Sequence, residues 1–386
     1  MSDLVFHRTA FAEAVTKRLL HPGFFEETSR DGLFITGIRR IGKTTFLRND
    51  LIEKLTEEKA LVIYVDLWCD REKLSPTKAI LSAIHKTFGE LSSVGFGVKD
   101  LKVDLKIVSF SFEPTKIGES DGVTLAEAFS ELVEKINTNV VLIIDEIQAT
   151  LKTESGRNLM MALKAARDAV NLRPHNPDKT FLLIVGTGSH RSFVTAMAAK
   201  SSQPFYGADR LDFPRLGDDY IDWAVNKEPM ELTQIPSQEA LKKGFEILGH
   251  RPREFRKVLE TIQSYDGSEI DPAFRIVCVN QARKDADEIL GPIKYSDRMT
   301  KLLFSEIAAA GDRGCSKLFS ATYLKQLAAD TGRKKAVSAS TVQGKLAVMQ
   351  KNDWIYPVGY GCYAVSDPQA GAVWTECLDE YMEDYE

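Results

Sequence analysis

The chain has 386 residues, of which 44% are hydrophobic and 27% are charged, and its formal net charge at neutral pH is −5. This length exceeds what one hydrophobic core usually organises, so we expect two or three domains. The composition excludes a fibrous or disordered chain, and the net charge excludes attraction to nucleic acid by bulk electrostatics, although a local basic patch stays open.

The apolar runs of the sequence are short. Residues 140–144 and 181–185 have the length of buried strands and fall far short of a membrane span. The first eighteen residues mix charges into their apolar positions, which is unlike a signal peptide. The five cysteines are scattered without a Cys-x-x-Cys pair, a pattern typical of free thiols in a reducing compartment. We therefore expect a cytoplasmic protein with no membrane partner.

Apolar strand-like segments alternate with amphipathic helical segments from about residue 32 to residue 225. This alternation predicts an α/β fold, a parallel sheet flanked by helices. The predicted strands are residues 33–36, 60–67, 140–145, 181–186 and 211–213, and the predicted helices include 44–56, 76–91, 125–137 and 154–170. Residues 94–123 turn Gly-rich and then alternate in hydrophobicity over 101–107, which predicts an insertion outside the central sheet.

The strand pattern stops after residue 236. Predicted helices at 238–248, 252–265 and 272–290 indicate a helical lid. Helices at 297–310, 321–330 and 340–350 then precede strands at 354–357 and 362–365, which is the element order of a winged helix. The predicted domains are residues 1–230, a P-loop core with an N-terminal helix and the 94–123 insertion; residues 231–294, a helical lid; and residues 295–386, a winged-helix domain.

Residues 37–44 read Gly-Ile-Arg-Arg-Ile-Gly-Lys-Thr and fit the phosphate-binding pattern G-x-x-x-x-G-K-[ST] between a predicted strand and a predicted helix. Backbone N–H groups of such a loop surround a phosphate, its lysine reaches the β- and γ-phosphates, and its threonine ligates magnesium. The alternative is a glycine turn with a surface lysine. The predicted nucleotide contacts are Gly37, Arg39, Arg40, Ile41, Gly42, Lys43, Thr44 and Thr45.

A second motif ends the predicted strand 140–145 with Asp145 and Glu146. Ligands of open α/β sheets bind at the carboxyl ends of the strands. We predict that Asp145, with Thr44, holds magnesium and that Glu146 polarises the attacking water, while Lys43 contacts the phosphates. The alternative is that both acids only begin the next helix.

The two motifs, about a hundred residues apart, resemble the additional-strand class of P-loop ATPases. Within that class, residues 37–45, Ile144-Asp145-Glu146-Ile147-Gln148 and Pro204-Phe205-Tyr206-Gly207 resemble the AAA+/STAND-type ATPases described as mainly archaeal. The similarity covers most of residues 6–365. It implies an AAA+-like core, a helical lid and a C-terminal winged helix, with ATP and Mg²⁺ as cofactors and a homo-oligomer as one form of assembly.

The resemblance also implies roles for residues outside the two motifs. The tip of the predicted strand 181–186 would sense the γ-phosphate through Thr187 or Ser189, and Ser189 is alternatively a helix cap. Arg210, directly before the predicted strand 211–213, is the candidate arginine finger acting on a neighbouring subunit. In relatives an arginine commonly follows Tyr-Gly directly, whereas here Ala208 and Asp209 intervene. The alternative for Arg210 is a surface arginine at a strand start.

Arginines at two further places have implied roles. Arg253 or Arg251, where a lid helix begins, resembles the second sensor that reaches the γ-phosphate, and a salt bridge within the lid is the alternative. Arg39 and Arg40, inside the loop, are typical of the family and contact either phosphate or a partner subunit. Their alternative is a solvated surface position.

Residues 338–350 form the candidate recognition helix of the winged helix. Ser340, Thr341, Gln343 and Lys345 are its predicted exposed residues, and the basic run 333–335 precedes it. From residue 295 onward, however, ten Lys or Arg face twelve Asp or Glu, so binding to DNA or to a protein stays open. The aromatic residues Trp354, Tyr356, Tyr360 and Tyr363 are predicted to pack the wing onto its helices.

These expectations together predict an ATP-hydrolysing molecular switch that couples nucleotide state to a winged helix engaging DNA or a protein partner. The alternative is an ATP-licensed DNA-binding loader, or initiator-like protein, with slow turnover. A third reading is an ATP-bound scaffold that hardly hydrolyses.

Overall fold

The computed structural model describes residues 5–68, 75–93, 108–173, 176, 179–188, 203–226 and 232–382. The alternating segment 101–107 and Ser189 lie outside the described residues. The chain forms two compact units, Met1–Gly37 with Lys43–Phe213, and Ile38–Gly42 with Pro214–Glu386. Each unit is described by itself.

The first unit is built on a parallel sheet of five strands. They are β1 (Leu33–Thr36), β2 (Leu61–Asp66), β3 (Val140–Asp145), β4 (Leu182–Gly188) and β5 (Asp209–Asp212), in the order β2-β3-β4-β1-β5. Every residue of β3 is buried, because helices cover both faces of a parallel sheet and its central strands become continuous apolar runs. The predicted α/β sheet is confirmed, and β4 lies between the loop-bearing β1 and the acid-bearing β3.

The first unit has five described helices, three of which begin at a side-chain cap. They are α1 (Thr9–Leu20), α2 (Lys43–Phe46, continuing through a π-helical turn at Leu47–Leu51 into Ile52–Glu57), α3 (Pro76–Ser92), α4 (Leu125–Ile136) and α5 (Glu154–Asn171). Thr124 and Glu127 form a complete capping box at the start of α4. Within the predicted insertion, Val108 and Ile117 are buried in the core shared with β2 and α4.

The second unit opens with four helices. They are α6 (Asp218–Asn226), α7 (Gln238–Ile247), α8 (Pro252–Ile262) and α9 (Ile270–Lys294). Phe245 lies near Tyr220 and Phe255, with ring centroids 5.4 and 4.9 Å apart, and these rings form the helical core. The helix α6 was not among the predicted elements, and α9 extends beyond its predicted range at both ends.

The remaining elements follow the predicted order of three helices and a hairpin. They are α10 (Arg298–Ala310), α11 (Ala321–Asp330), α12 (Ala339–Lys351) and the antiparallel strands β6 (Ile355–Gly359) and β7 (Cys362–Val365). Two unpredicted helices, α13 (Pro368–Glu376) and α14 (Leu378–Met382), end the described chain. Trp374 anchors α13, because its ring packs edge-on against Phe304 at 5.1 Å and its indole N–H donates to Ser305 Oγ at 2.8 Å.

The predicted packing of the hairpin aromatics is wrong at one position. Tyr363 is buried, but Tyr360 lies in the turn between β6 and β7 and is fully exposed. A turn residue has no neighbouring strand to pack against, which explains the difference. Among the described helices, none combines the length and apolar character needed to cross a membrane.

Candidate functional site

The predicted phosphate loop leaves β1 at Gly37, whose N–H donates to the Gly188 carbonyl at the end of β4 (3.2 Å). The loop ends at Lys43, the first residue of α2. The buried Lys43 ammonium donates to the Gly37 carbonyl at 2.8 Å. Lys43 therefore reaches back to the first residue of the loop, as a phosphate contact from this position requires.

Two residues of the loop have a left-handed backbone. Gly42 has a φ of 93°, and no atom lies within 4 Å of the position a β-carbon would occupy there. Conformation, and not crowding, therefore demands glycine at this position. Arg40 has a φ of 66°, which costs a non-glycine residue on the order of 1 kcal/mol and is typical of ligand-binding loops.

The Asp145 carboxylate, at the tip of β3, is almost completely buried and accepts hydrogen bonds from three other predicted site residues. Its Oδ2 accepts a hydrogen bond from Thr44 Oγ1 at 2.6 Å. Its Oδ1 accepts one from the Thr187 hydroxyl and one from the Glu146 N–H at 3.1 Å. A threonine hydroxyl beside a carboxylate supplies the oxygen ligands that Mg²⁺ prefers. These residues therefore fit a magnesium ion.

Glu146 has a left-handed backbone, with φ 59° and ψ 42°, and directly precedes a 3₁₀ helix at Ile147–Lys152. Its side chain makes no capping hydrogen bond to that helix. The Gln148 amide donates to the Glu146 carboxylate. Such a contact orients the carboxylate.

A cluster at Asp145 that the sequence analysis missed comes from β2 and α2. Asp66 pairs in register with Asp145, and the Tyr64 hydroxyl lies 3.4 Å from Asp145 Oδ2. Arg48 donates through Nε to the Tyr64 hydroxyl at 3.2 Å and through Nη2 to Asp66 at 3.1 Å. Burial raises the pKa of Tyr64, helped by the charges of Asp145 and Asp66 and opposed by Arg48.

Arg39 and Arg40 are exposed loop residues that belong to the second unit. Arg40 Nη1 lies 3.7 Å from Asp285 Oδ1 on α9. Burial raises the pKa of Asp285, the charge of Glu254 raises it further, and Arg251 and Arg40 oppose this increase. Arg40 thus neighbours a pair of acids, Glu254 and Asp285.

The structure distinguishes the two candidates for the second sensor. Arg251, at the N-cap of α8, is buried, and its guanidinium donates to Gln369 Oε1 and to Asp367 Oδ2 of the α13 start. Arg253, in the first turn of α8, is exposed. The salt bridge of Arg251 thus reaches Asp367 in the predicted winged-helix domain and does not lie within the lid. The sensor role of Arg253 stays a prediction.

Arg210 lies inside β5, opposite Phe34, and is exposed. The prediction that Arg210 precedes the strand is wrong, because β5 starts at Asp209, two residues before the predicted start at residue 211. Arg18 fixes this start through an ion pair with Asp209 at 2.6 Å. The assigned role of an arginine finger stays a prediction.

Of the predicted exposed residues of helix α12, Ser340 and Gln343 are exposed, whereas Thr341 and Lys345 are half-buried. Lys345 Nζ is bound to Asp297 Oδ2 at 2.6 Å. Arg333, Lys334 and Lys335 are exposed before the helix.

A P-loop between β1 and α2, an acidic pair at the end of β3 and a strand between β1 and β3 define the additional-strand class of P-loop ATPases. Residues 22–201 match the family model described as an ATPase domain predominantly from Archaea. This part of the chain is therefore similar to the P-loop ATPase domains of that family.

Solved structures show a similar fold over nearly the whole chain. The Walker-type ATPase of Pyrococcus abyssi is 18% identical, with a TM-score of 0.57, and the match covers 96% of this chain and 95% of that one. The Aeropyrum pernix ORC2 protein, in its ADPNP and ADP complexes, is 14% identical with a TM-score of 0.50 and coverage of 98% and 94%. At these identities the likeness concerns the AAA+-like P-loop fold. No curated protein matches the chain in sequence.

Proposed function

We propose that this chain binds ATP with magnesium and hydrolyses it. The observation that carries the proposal is the convergence of the Thr44 and Thr187 hydroxyls on the buried Asp145 carboxylate, with Glu146 next in the chain. The matching ATPase family and the P-loop sequence support the same reading.

Each residue has a separate role in this proposal. The loop N–H groups and Lys43 bind the phosphates, and Thr44 and Asp145 hold magnesium. Glu146, oriented by Gln148, accepts a proton from the attacking water. Thr187 fixes the orientation of Asp145, and Arg253 and Arg210 are the proposed sensor and arginine finger. Magnesium, when bound, neutralises charge on the phosphates.

The proposed output of hydrolysis is a change passed to the C-terminal residues 295–386, which we interpret as a winged helix, with residues 231–294 as the lid. A basic run, Arg333 to Lys335, and the exposed ring of Tyr360 favour DNA as the partner. The paired Lys345 and the excess of acids favour a protein partner. If the partner is DNA, the rate of ATP turnover should respond to DNA. If the partner is a protein, the rate should not change when DNA is added.

The test compares ATP binding and phosphate release by the wild type, Lys43→Ala and Lys78→Ala. Because Lys43 is the proposed phosphate contact, we expect its removal to weaken ATP binding about tenfold or more and to abolish turnover. Lys78, an exposed lysine on α3, is the matched control and should leave both unchanged. A Lys43→Ala protein that binds and turns over ATP like the wild type would contradict the proposal.

The same assay with double-stranded DNA separates the two outputs. Stimulation that is lost when Arg333, Lys334 and Lys335 are neutralised together supports a DNA-coupled protein. A rate indifferent to DNA favours a switch that acts on a protein.

A further inference from the structure

Three side chains outside the sequence motifs form a chain of hydrogen bonds that ends at one oxygen of the Asp145 carboxylate. Tyr64 and Asp66 lie two residues apart on β2 and therefore share a face of the sheet. Arg48 approaches this face from the π-helical turn of α2. All three belong to the first unit, with Thr44 and Asp145.

The hydrogen bonds of this cluster have a defined direction. An arginine can only donate, so the Tyr64 oxygen accepts from Arg48 Nε. A phenol has a single proton, which is then left for its other polar neighbour, Asp145 Oδ2 at 3.4 Å.

The arrangement also determines which acid the arginine neutralises. Arg48 Nη2 pairs with Asp66 at 3.1 Å, and the Trp68 N–H donates to the other oxygen of Asp66 at 2.9 Å. The hydrogen bonds that the structure describes at Asp145 come from the neutral hydroxyls of Thr44, Thr187 and Tyr64 and from a backbone N–H. These hydrogen bonds hold the Asp145 carboxylate in a fixed orientation, as a magnesium-binding carboxylate needs.

We propose that Tyr64, held by Arg48, is a positioning residue that orients Asp145 toward magnesium and keeps the Arg48 guanidinium on Asp66. This inference rests on the proposed ATPase function and deepens it at the metal. Tyr64 contacts neither nucleotide nor water in this proposal. It acts through Asp145 alone.

The experiment titrates Mg²⁺ against binding of a fluorescent ATP analogue, and separately against phosphate release, for the wild type and Tyr64→Phe. Loss of one hydrogen bond to a carboxylate should raise the half-saturating Mg²⁺ concentration roughly three- to tenfold. Affinity for the analogue in EDTA should stay unchanged, because Tyr64 does not bind the nucleotide. Tyr265→Phe is the control, since its hydroxyl lies against the Glu269 carbonyl in the second unit.

An unchanged Mg²⁺ requirement in Tyr64→Phe overturns the proposal. An equal loss of affinity in Mg²⁺ and in EDTA also overturns it, because that result marks a structural role. Arg48→Met supplies a second variant at a half-exposed side chain, and it should shift the Mg²⁺ requirement in the same direction, with Arg48→Lys restoring part of it. A wild type that binds no nucleotide would instead refute the proposed function itself.

Discussion

At the residue scale, the site depends on side chains whose partners come from other strands. The sequence left Thr187 and Ser189 as alternative sensors, and the described structure places the Thr187 hydroxyl on Asp145. Asp145 is surrounded by hydrogen-bond donors, whereas Asp285 lies near another acid, Glu254. Burial and the charge of Glu254 raise its pKa, and Arg40 at 3.7 Å compensates only in part.

A stability measurement tests the environment of Asp285. An acid whose pKa is raised on folding reduces stability as pH rises above its unfolded value, about 3.9. Asp285→Asn should therefore raise the melting temperature at pH 7.5, and this gain should vanish near pH 4, where the wild-type side chain is also protonated. Asp287→Asn, an exposed change on the same helix, is the control for general charge effects. A lower melting temperature at pH 7.5 in Asp285→Asn would mean that the Arg40 contact outweighs the repulsion.

The site residues that belong to contiguous sequence motifs were predicted, whereas their partners on neighbouring strands and helices were not. Lys43, Thr44 and Asp145 were predicted because the loop and the apolar strand are local patterns. Tyr64 and Arg48 could not be predicted, because their roles depend on β2 lying beside β3. The order of strands in a sheet cannot be deduced from the sequence of a single segment. Period-two alternation places Tyr64 and Asp66 on one face of β2, and this was the only signal available.

At the element scale, most helices and strands follow from periodicity and caps, and the differences have local causes. The earlier start of β5 coincides with the ion pair between Arg18 and Asp209. The π-helical turn inside α2 interrupts the helix predicted over residues 44–56. The sequence analysis did not predict α13, which the buried Trp374 anchors. This helix also receives the Arg251 guanidinium, so α8 and α13 are joined through a buried ion pair.

A pair of arginine variants tests this connection. Arg251→Ala leaves the Asp367 carboxylate without its partner and should lower the free energy of unfolding by about 3 kcal/mol. Arg253→Ala, two residues along the same helix turn but exposed, should change it by less than about 0.5 kcal/mol while weakening ATP binding or turnover. Denaturant unfolding and nucleotide titration measure the two effects. Equal destabilisation by both variants would contradict the division of roles between these arginines.

At the scale of the whole molecule, the chain combines a P-loop ATPase unit with a helical unit that ends in a hairpin and two helices. The family match covers residues 22–201, whereas the similar folds span nearly the whole chain. The α/β class and the order of elements were predicted from the sequence because they follow from alternation of patterns. The predicted domain boundaries at 230 and 294 and the action of Arg210 on a neighbouring copy stay predictions, since both concern relations that no local pattern encodes.

The central claim, that this molecule hydrolyses ATP through Glu146, depends on one comparison. Phosphate release and equilibrium binding of ATP are measured for the wild type and Glu146→Gln at saturating Mg²⁺, with Glu154→Gln, an exposed change at the start of α5, as the control. We expect Glu146→Gln to keep the wild-type affinity for ATP and to lose turnover by roughly a hundredfold or more, because the amide cannot accept a proton from water. A Glu146→Gln protein that releases phosphate at the wild-type rate would contradict the account.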